Sequence, residues 1–271
     1  MDTVFVASFF GVIGLVVGSF LNVVILRLEQ GMTLGGRSMC PKCHELIHWY
    51  DNIPLLSFIF LRGRCRKCHA SIAWQYPAVE FVTGILFAIF GTLTIGVAFP
   101  EEIITTVWYL FLIALLMAIT VSDIRNMEIP LILLLVGVGG VIVAMTLMTV
   151  ATGIGWLDPV APWRMMFFGG MIAALFFYAL VYYSNETWMG MGDVWLAGIV
   201  GAAVGLPALL LLLTLSFFSG AVIGGVLLFL GEKGMKSQIP FAPFLSLGAL
   251  ATLLLLALDP WWVSLILLPI V

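Results

Sequence analysis

Charge is scarce in this chain of 271 residues. Lys, Arg, Asp and Glu together make up 9% of it, and histidine occurs three times. A soluble domain of this length needs a charged surface. With 63% apolar residues as well, the composition excludes a water-soluble globule and implies a polytopic membrane protein. No GxGxxG pattern follows a strand, which removes a Rossmann-type dinucleotide site. No basic tract is interleaved with aromatics, so no nucleic-acid partner is expected. The first apolar segment, residues 4–26, lacks the basic start and small-residue cleavage site of a removable signal peptide and reads as a retained span. Cysteine is rare too, with four residues confined to positions 40–68.

Long apolar runs fill the rest. Segments near 4–26, 77–98, 103–122, 129–150, 164–184, 193–206, 208–230 and 242–258 predict an all-α fold of about eight transmembrane helices. The sixth is short and ends at Leu206-Pro207. The last apolar piece, 261–271, is too short to span and is expected at the interface or as an extension of the eighth helix. Three regions follow: a first transmembrane helix (1–26), a cytoplasmic four-cysteine domain (27–76) and a transmembrane domain (77–271).

Basic residues orient this set. Arg27, Arg37, Lys42, Arg62, Arg64, Arg66 and Lys67 are seven of the eleven Lys and Arg, against Glu29, Glu45 and Asp51. The loop is +4 in a chain of net charge −3. Placing it in the cytoplasm puts the N-terminus outside. Threading eight spans then brings Arg125, Lys233 and Lys236 inside as well, leaving only Arg164 outside.

The cysteines form Cys40-x-x-Cys43 and Cys65-x-x-Cys68, with 21 residues between the pairs. Paired CxxC knuckles on the cytoplasmic side predict a structural zinc site rather than a disulfide or redox dithiol. Four thiolates leave no open position for water. His44, His48 and His69 lie in the same loop and are expected at its surface or behind the ligands. The stretch "WYDNIPLLSFIFLRG" between the knuckles is too short to span and is expected against the membrane face.

Two carboxylates stand out in the apolar background. Asp123 ends the third span in "AITVSDIRNMEIP", and Asp193 opens the sixth after Gly-Met-Gly. The topology brings both to the cytoplasmic ends of their helices. Two carboxylates about 4 Å apart repel by about 4 kcal/mol at an effective dielectric near 20, enough to keep one proton shared between them. Such a pair can activate a water, one member as base and the other as acid. The dipoles of their own helices would make Asp123 the acid and Asp193 the base. Plainer readings are open: Asp193 as a helix N-cap, and Asp123 as an interfacial partner of Arg125. Pro130 is expected in the first turn of the fourth helix. The pairs Gly14–Gly18 and Gly220–Gly224 read as helix-packing GxxxG motifs. Asn22 lies inside the first span. Glu80 lies in the first turn of the second and is the one candidate for a further, cofactor-binding site, which the sequence alone does not establish.

Several of these stretches occur together in order: "GSFLNVVILRL" (18–28), the knuckles around "WYDNIPLLS", "YPAVE" (76–80), Asp123 with Pro130, "GMGD" (190–193) and "IPFAPFLSLGA" (239–249). In this set the chain resembles the bacterial type IV prepilin peptidases, the leader peptidase/N-methyltransferases. The resemblance implies an intramembrane aspartic endopeptidase whose catalytic residues match Asp123 and Asp193. It implies cleavage, after a glycine, of the basic leader of type IV prepilin or pseudopilin precursors. It also implies methylation of the new N-terminus with S-adenosylmethionine, in a bacterial inner membrane with the active site facing the cytoplasm. The cysteine loop resembles that of the bifunctional members. One departure is Trp195, where members often carry lysine in GxGDxK.

Three other readings compete. A presenilin-like or signal-peptide-peptidase-like protease shares GxGD but carries Pro-Ala-Leu where this chain has "IPFAPF", and lacks the zinc loop. A proton-coupled transporter would use Asp123 and Asp193 as a relay, but the hydropathy pattern shows no internal repeat. A zinc-knuckle scaffold would have no chemistry at all.

Overall fold

The computed structural model describes residues 2–95, 100–155, 158, 161–230 and 239–258. The expectations for Lys233, Lys236 and the 261–271 piece fall outside these residues. Among the described residues the regular structure is helical: α1 (Thr3–Glu29), α2 (Leu56–Phe60), α3 (Gln75–Thr94), α4 (Pro100–Asn126), α5 (Leu131–Thr152), α6 (Pro162–Ser184), α7 (Met191–Phe229) and α8 (Ala242–Ala257). Six of these are long and apolar enough to cross a membrane, and α8 is a shorter apolar helix. The chain divides into two compact units. One runs from the N-terminus to Ile95 and takes in Tyr109–Ala118; the other holds the remainder.

In the first unit α1 packs along α3. Apolar helices in lipid gain little from burying more apolar surface, so close backbone approach through small residues holds them together. Gly14 and Gly18 supply it: a Cβ at Gly18 would lie 2.7 Å from the Glu80 Cα, and one at Gly14 would lie 2.7 Å from the Thr83 carbonyl. The packing reading of this GxxxG pair therefore holds. At the end of α1 the buried Arg27 turns its guanidinium onto the loop that follows. It donates to the carbonyls of Leu34, Gly35 (2.6 Å) and Gly36 (3.0 Å), so a cation satisfies a turn that would otherwise carry orphan acceptors.

In the second unit α7 needs 39 residues, about 58 Å as a straight helix and far more than a bilayer core. It is not straight. Gly205 has φ 74° and ψ 169°, outside helical space, and Pro207 follows in the first turn after the break, where its missing N–H costs nothing. The chain reverses there. Gly169 and Gly170 of α6 face Gly198, Gly201 and Gly205 of the first limb. Phe177, eight residues further along α6, stacks on Phe217 of the second limb at 6.0 Å. The spans expected at 193–206 and 208–230 are thus the two limbs of a hairpin inside one hydrogen-bonded run. With them the helix set matches the eight predicted apolar segments.

The second limb pairs with α8, where Gly220 faces Phe244, while Gly224 faces Ile239 just ahead of that helix. Cβ atoms at these two glycines would sit 3.5 and 3.9 Å from their neighbours, so this GxxxG pair is looser than the first. Pro130 stands one residue ahead of α5 as its N-cap, not within its first turn.

Candidate active site

Asp123 lies in the last turn of α4 and is 6% exposed. The helix stops four residues later at Met127, whose left-handed φ of 54° turns the chain towards Pro130 and α5. Asp193 lies in the first turn of α7, three residues after the cap residue Gly190, whose extended backbone (φ −89°, ψ 162°) leads the chain in. The two carboxylates line one cavity of about 440 Å³, together with Glu128, Glu186, Gly190 and Phe241. The two apolar-background aspartates, seventy positions apart, are therefore brought together.

Backbone amides hold each of them. The Asp193 Oδ2 accepts the Gly190 N–H at 3.3 Å. Asp193 is thus not the N-cap; it reaches back to the cap residue from three positions further on. The Asp123 Oδ2 accepts the Ala242 N–H at 3.1 Å. That amide opens α8, so Asp123 meets a helix N-terminus as well as the C-terminal end of its own helix. The role assignment based on each aspartate's own helix dipole loses its basis, because both carboxylates receive a helix-N-terminal donor. Sequence reasoning missed the Ala242 donor; the only trace of it was the quoted "IPFAPF" stretch. It also missed that Glu128 and Glu186 join the cavity, since a charge just beyond a span reads as an ordinary interfacial residue.

The cysteine loop closes on itself. Cys40, Cys43, Cys65 and Cys68 present sulfurs that all lie within 4.8 Å of one another, a group able to hold a metal ion. The two knuckles repeat one geometry. The Cys40 N–H bonds to the Glu45 carbonyl at 2.9 Å and the Cys65 N–H to the Ala70 carbonyl at 2.8 Å. His44 and His69, one residue past each knuckle, share a left-handed φ of 56°. The histidines therefore follow the knuckles as turn residues, and the metal-competent group contains cysteines alone among the described residues.

The thiols differ in electrostatics. The Cys68 and Lys67 amides pull Cys65 down to about 6. The Glu45 amide pulls Cys43 down, but burial and the neighbouring Cys68, Cys40 and Cys65 thiols outweigh it and push it up to about 11. Four thiolates this close can coexist only around a cation, which is the donor chemistry of a closed tetrahedral site. Arg66 grips Asp51 with two nitrogens, at 2.5 and 2.8 Å, and Lys67 pairs with Glu45.

Glu80 is buried, and its carboxylate accepts the Leu55 N–H at 2.8 Å. Leu55 has a left-handed φ of 59° directly before α2. The carboxylate thus ties the strained entrance of α2 to α3. Asn22 donates from Nδ2 to the Tyr76 carbonyl at 3.1 Å, another link between α1 and the start of α3.

The chain matches the Bacterial Peptidase A24 N-terminal domain over residues 12–93 and the Type IV leader peptidase family over residues 110–225. Among curated proteins it is similar to a prepilin leader peptidase/N-methyltransferase of Myxococcus xanthus, 33% identical over 86% of this chain and 66% of the relative. It is similar also to one of Pectobacterium carotovorum, 32% identical over 88% of this chain and 89% of the relative. A third, from Aeromonas salmonicida, is 32% identical over 93% of this chain and 92% of the relative. No solved structure matches the chain. With both halves matched and the Pectobacterium and Aeromonas relatives covered over about nine-tenths of their length at 32% identity, the chain belongs to the Type IV leader peptidase family.

Proposed function

We propose that this protein is an intramembrane aspartic endopeptidase that removes the basic leader of type IV prepilin-like precursors and methylates the new N-terminus. The observation that carries the proposal is the meeting of Asp123 and Asp193 in one cavity beside the Gly190–Gly192 backbone. In this reading the two carboxylates share one proton. The ionised member takes a proton from water as the water oxygen bonds to the scissile carbonyl carbon. The protonated member donates to the carbonyl oxygen. Collapse of the tetrahedral intermediate breaks the C–N bond: the departing amine takes up the proton held by the first carboxylate, and one hydroxyl of the intermediate returns its proton to the second, restoring the shared proton. The Ala242 and Gly190 amides keep the carboxylates in position through this cycle. Because the pair titrates as a unit, neither aspartate is assigned a fixed role.

The four cysteines would hold zinc as a closed, structural ion. S-adenosylmethionine would be the methyl donor, and it supplies the methyl group for the new amine. Glu80 already binds the Leu55 amide, and no residue is assigned to the methyl donor. The excess of basic residues in the 27–67 loop supports an external N-terminus, with the knuckles and the carboxylate pair on the cytoplasmic side of the bacterial inner membrane. A precursor whose leader stays in the cytoplasm and whose following helix enters the bilayer would bring its scissile bond to the depth of the two aspartates.

Purified protein in detergent, given a synthetic precursor with a glycine before its apolar helix, tests the proposal by mass spectrometry. The expected product is a fragment starting directly after the glycine, heavier by one methyl group when S-adenosylmethionine is added. An unshortened precursor would overturn the peptidase reading. A shortened but never methylated one would overturn the second activity.

A further inference from the structure

A groove of about 500 Å³ lies between α5, α6 and the first limb of α7, beside the carboxylate cavity. Its walls are apolar: Ile142 and Met145 of α5, Phe167 and Met171 of α6, and Met191 and Trp195 of α7 are among them. Met191, Val194, Trp195 and Gly198 follow the i, i+3, i+4, i+7 spacing of one helix face. Gly192 and Asp193, in the same turn, belong instead to the carboxylate cavity. The first turn of α7 is thus the ridge between two surfaces of opposite character. On one side are four carboxylates, with no Lys, Arg or His among the described lining residues. On the other is a channel that follows α7 from Met191 to Ala202, about 16 Å at a rise of about 1.5 Å per residue.

We infer that this groove seats the membrane helix of the substrate, with Trp195 beside its first turns, and that the peptide then crosses the ridge at Gly190 to put its basic segment in the acidic cavity. The inference rests on the peptidase reading and adds where the substrate lies. The complementarity is specific. Only a segment that is cationic on one side of a short stretch and an apolar helix on the other satisfies both surfaces at once. At Gly190 the ridge has room for a passing backbone, since a Cβ there would meet no atom nearer than 4.0 Å, whereas at Gly192 it would meet Ile129 at 3.3 Å. The groove side of the ridge carries Trp195, a flat apolar ring that is 49% exposed, where family resemblance would place a lysine.

Photocrosslinking in membranes tests the placement. Full-length protein carrying Asp123→Asn receives p-benzoylphenylalanine in place of Ile142 or Met145 in the groove. The control places it at Leu210, which is 77% exposed on the second limb. With a precursor bearing a basic leader and an apolar helix, the groove positions should crosslink to the helix and Leu210 should not. Equal or absent crosslinking at all three would mean that lipid alone fills the groove, and would overturn the inference. A kinetic arm uses Gly198→Leu. A Cβ there makes ordinary contact with Ala174 at 3.5 Å, and the longer side chain fills the channel. Its kcat/KM should fall about tenfold or more for the precursor, and by a smaller factor for a short soluble peptide spanning the same bond. Undiminished precursor cleavage would also overturn the inference. If both substrates fail, the crosslinks decide. Wild-type protein that cuts neither substrate would instead refute the peptidase reading.

Discussion

Asp51 and Glu80 each have one identified anchor, a guanidinium for Asp51 and a backbone amide for Glu80. Arg66 holds the Asp51 carboxyl below the usual aspartate range, chiefly through its hydrogen bonds. A depressed carboxylate stabilises the fold above its unfolded pKa of about 4, and that contribution is lost as pH falls through the lower folded value. The melting temperature of the protein should therefore drop on acidification below about pH 4, and Arg66→Ala should flatten this dependence. Calorimetry in detergent across pH checks it. Glu80→Ala leaves the Leu55 amide unpaired and should cost about 1–3 kcal/mol of stability in denaturant titrations. A variant that loses methylation with unchanged stability would instead mark Glu80 as part of a methyl-donor site. The residue types at Asp123, Asp193 and the cysteines were readable because a carboxylate in lipid or a paired CxxC has few alternative uses. The amide partners were not, because a backbone N–H such as that of Ala242 leaves no mark in the residue type.

Among the elements, the glycine seams separate tight from loose packing. Gly18→Ala would press a Cβ to within 2.7 Å of the Glu80 backbone and should destabilise α1 against α3 by about 1–3 kcal/mol. Gly220→Ala, with 3.5 Å to Phe244, should stay within about 0.5 kcal/mol. Thermal denaturation of the two variants in the same detergent distinguishes them, and equal effects would contradict the packing described. Both seams share one sequence motif, so spacing alone could not rank them; the neighbour facing each glycine decides. The helices themselves were legible as apolar runs of bilayer length. The hairpin in α7 was legible as Leu206-Pro207, although the break falls one residue earlier, at Gly205, because only glycine adopts its φ of 74° at little cost.

At the scale of the whole molecule, the proposed account assigns cleavage and metal binding to different residues, Asp123 and Asp193 for one and the four cysteines for the other. Four thiolates around an ion would close its coordination shell and leave no open position at which to activate water. Protein loaded with cobalt should show the absorption of a tetrahedral thiolate site and cleave precursor within about twofold of the zinc form. A large change in turnover on metal exchange would assign the ion a catalytic part.

The central claim is that Asp123 and Asp193 act on one water together. Its most direct test is precursor cleavage by wild type, Asp123→Asn and Asp193→Asn, each folded and metal-loaded, with products identified by mass spectrometry. The account predicts that each substitution alone lowers kcat by at least about 100-fold and that the double variant is little worse than either. Cleavage at the wild-type rate by either single variant would contradict it.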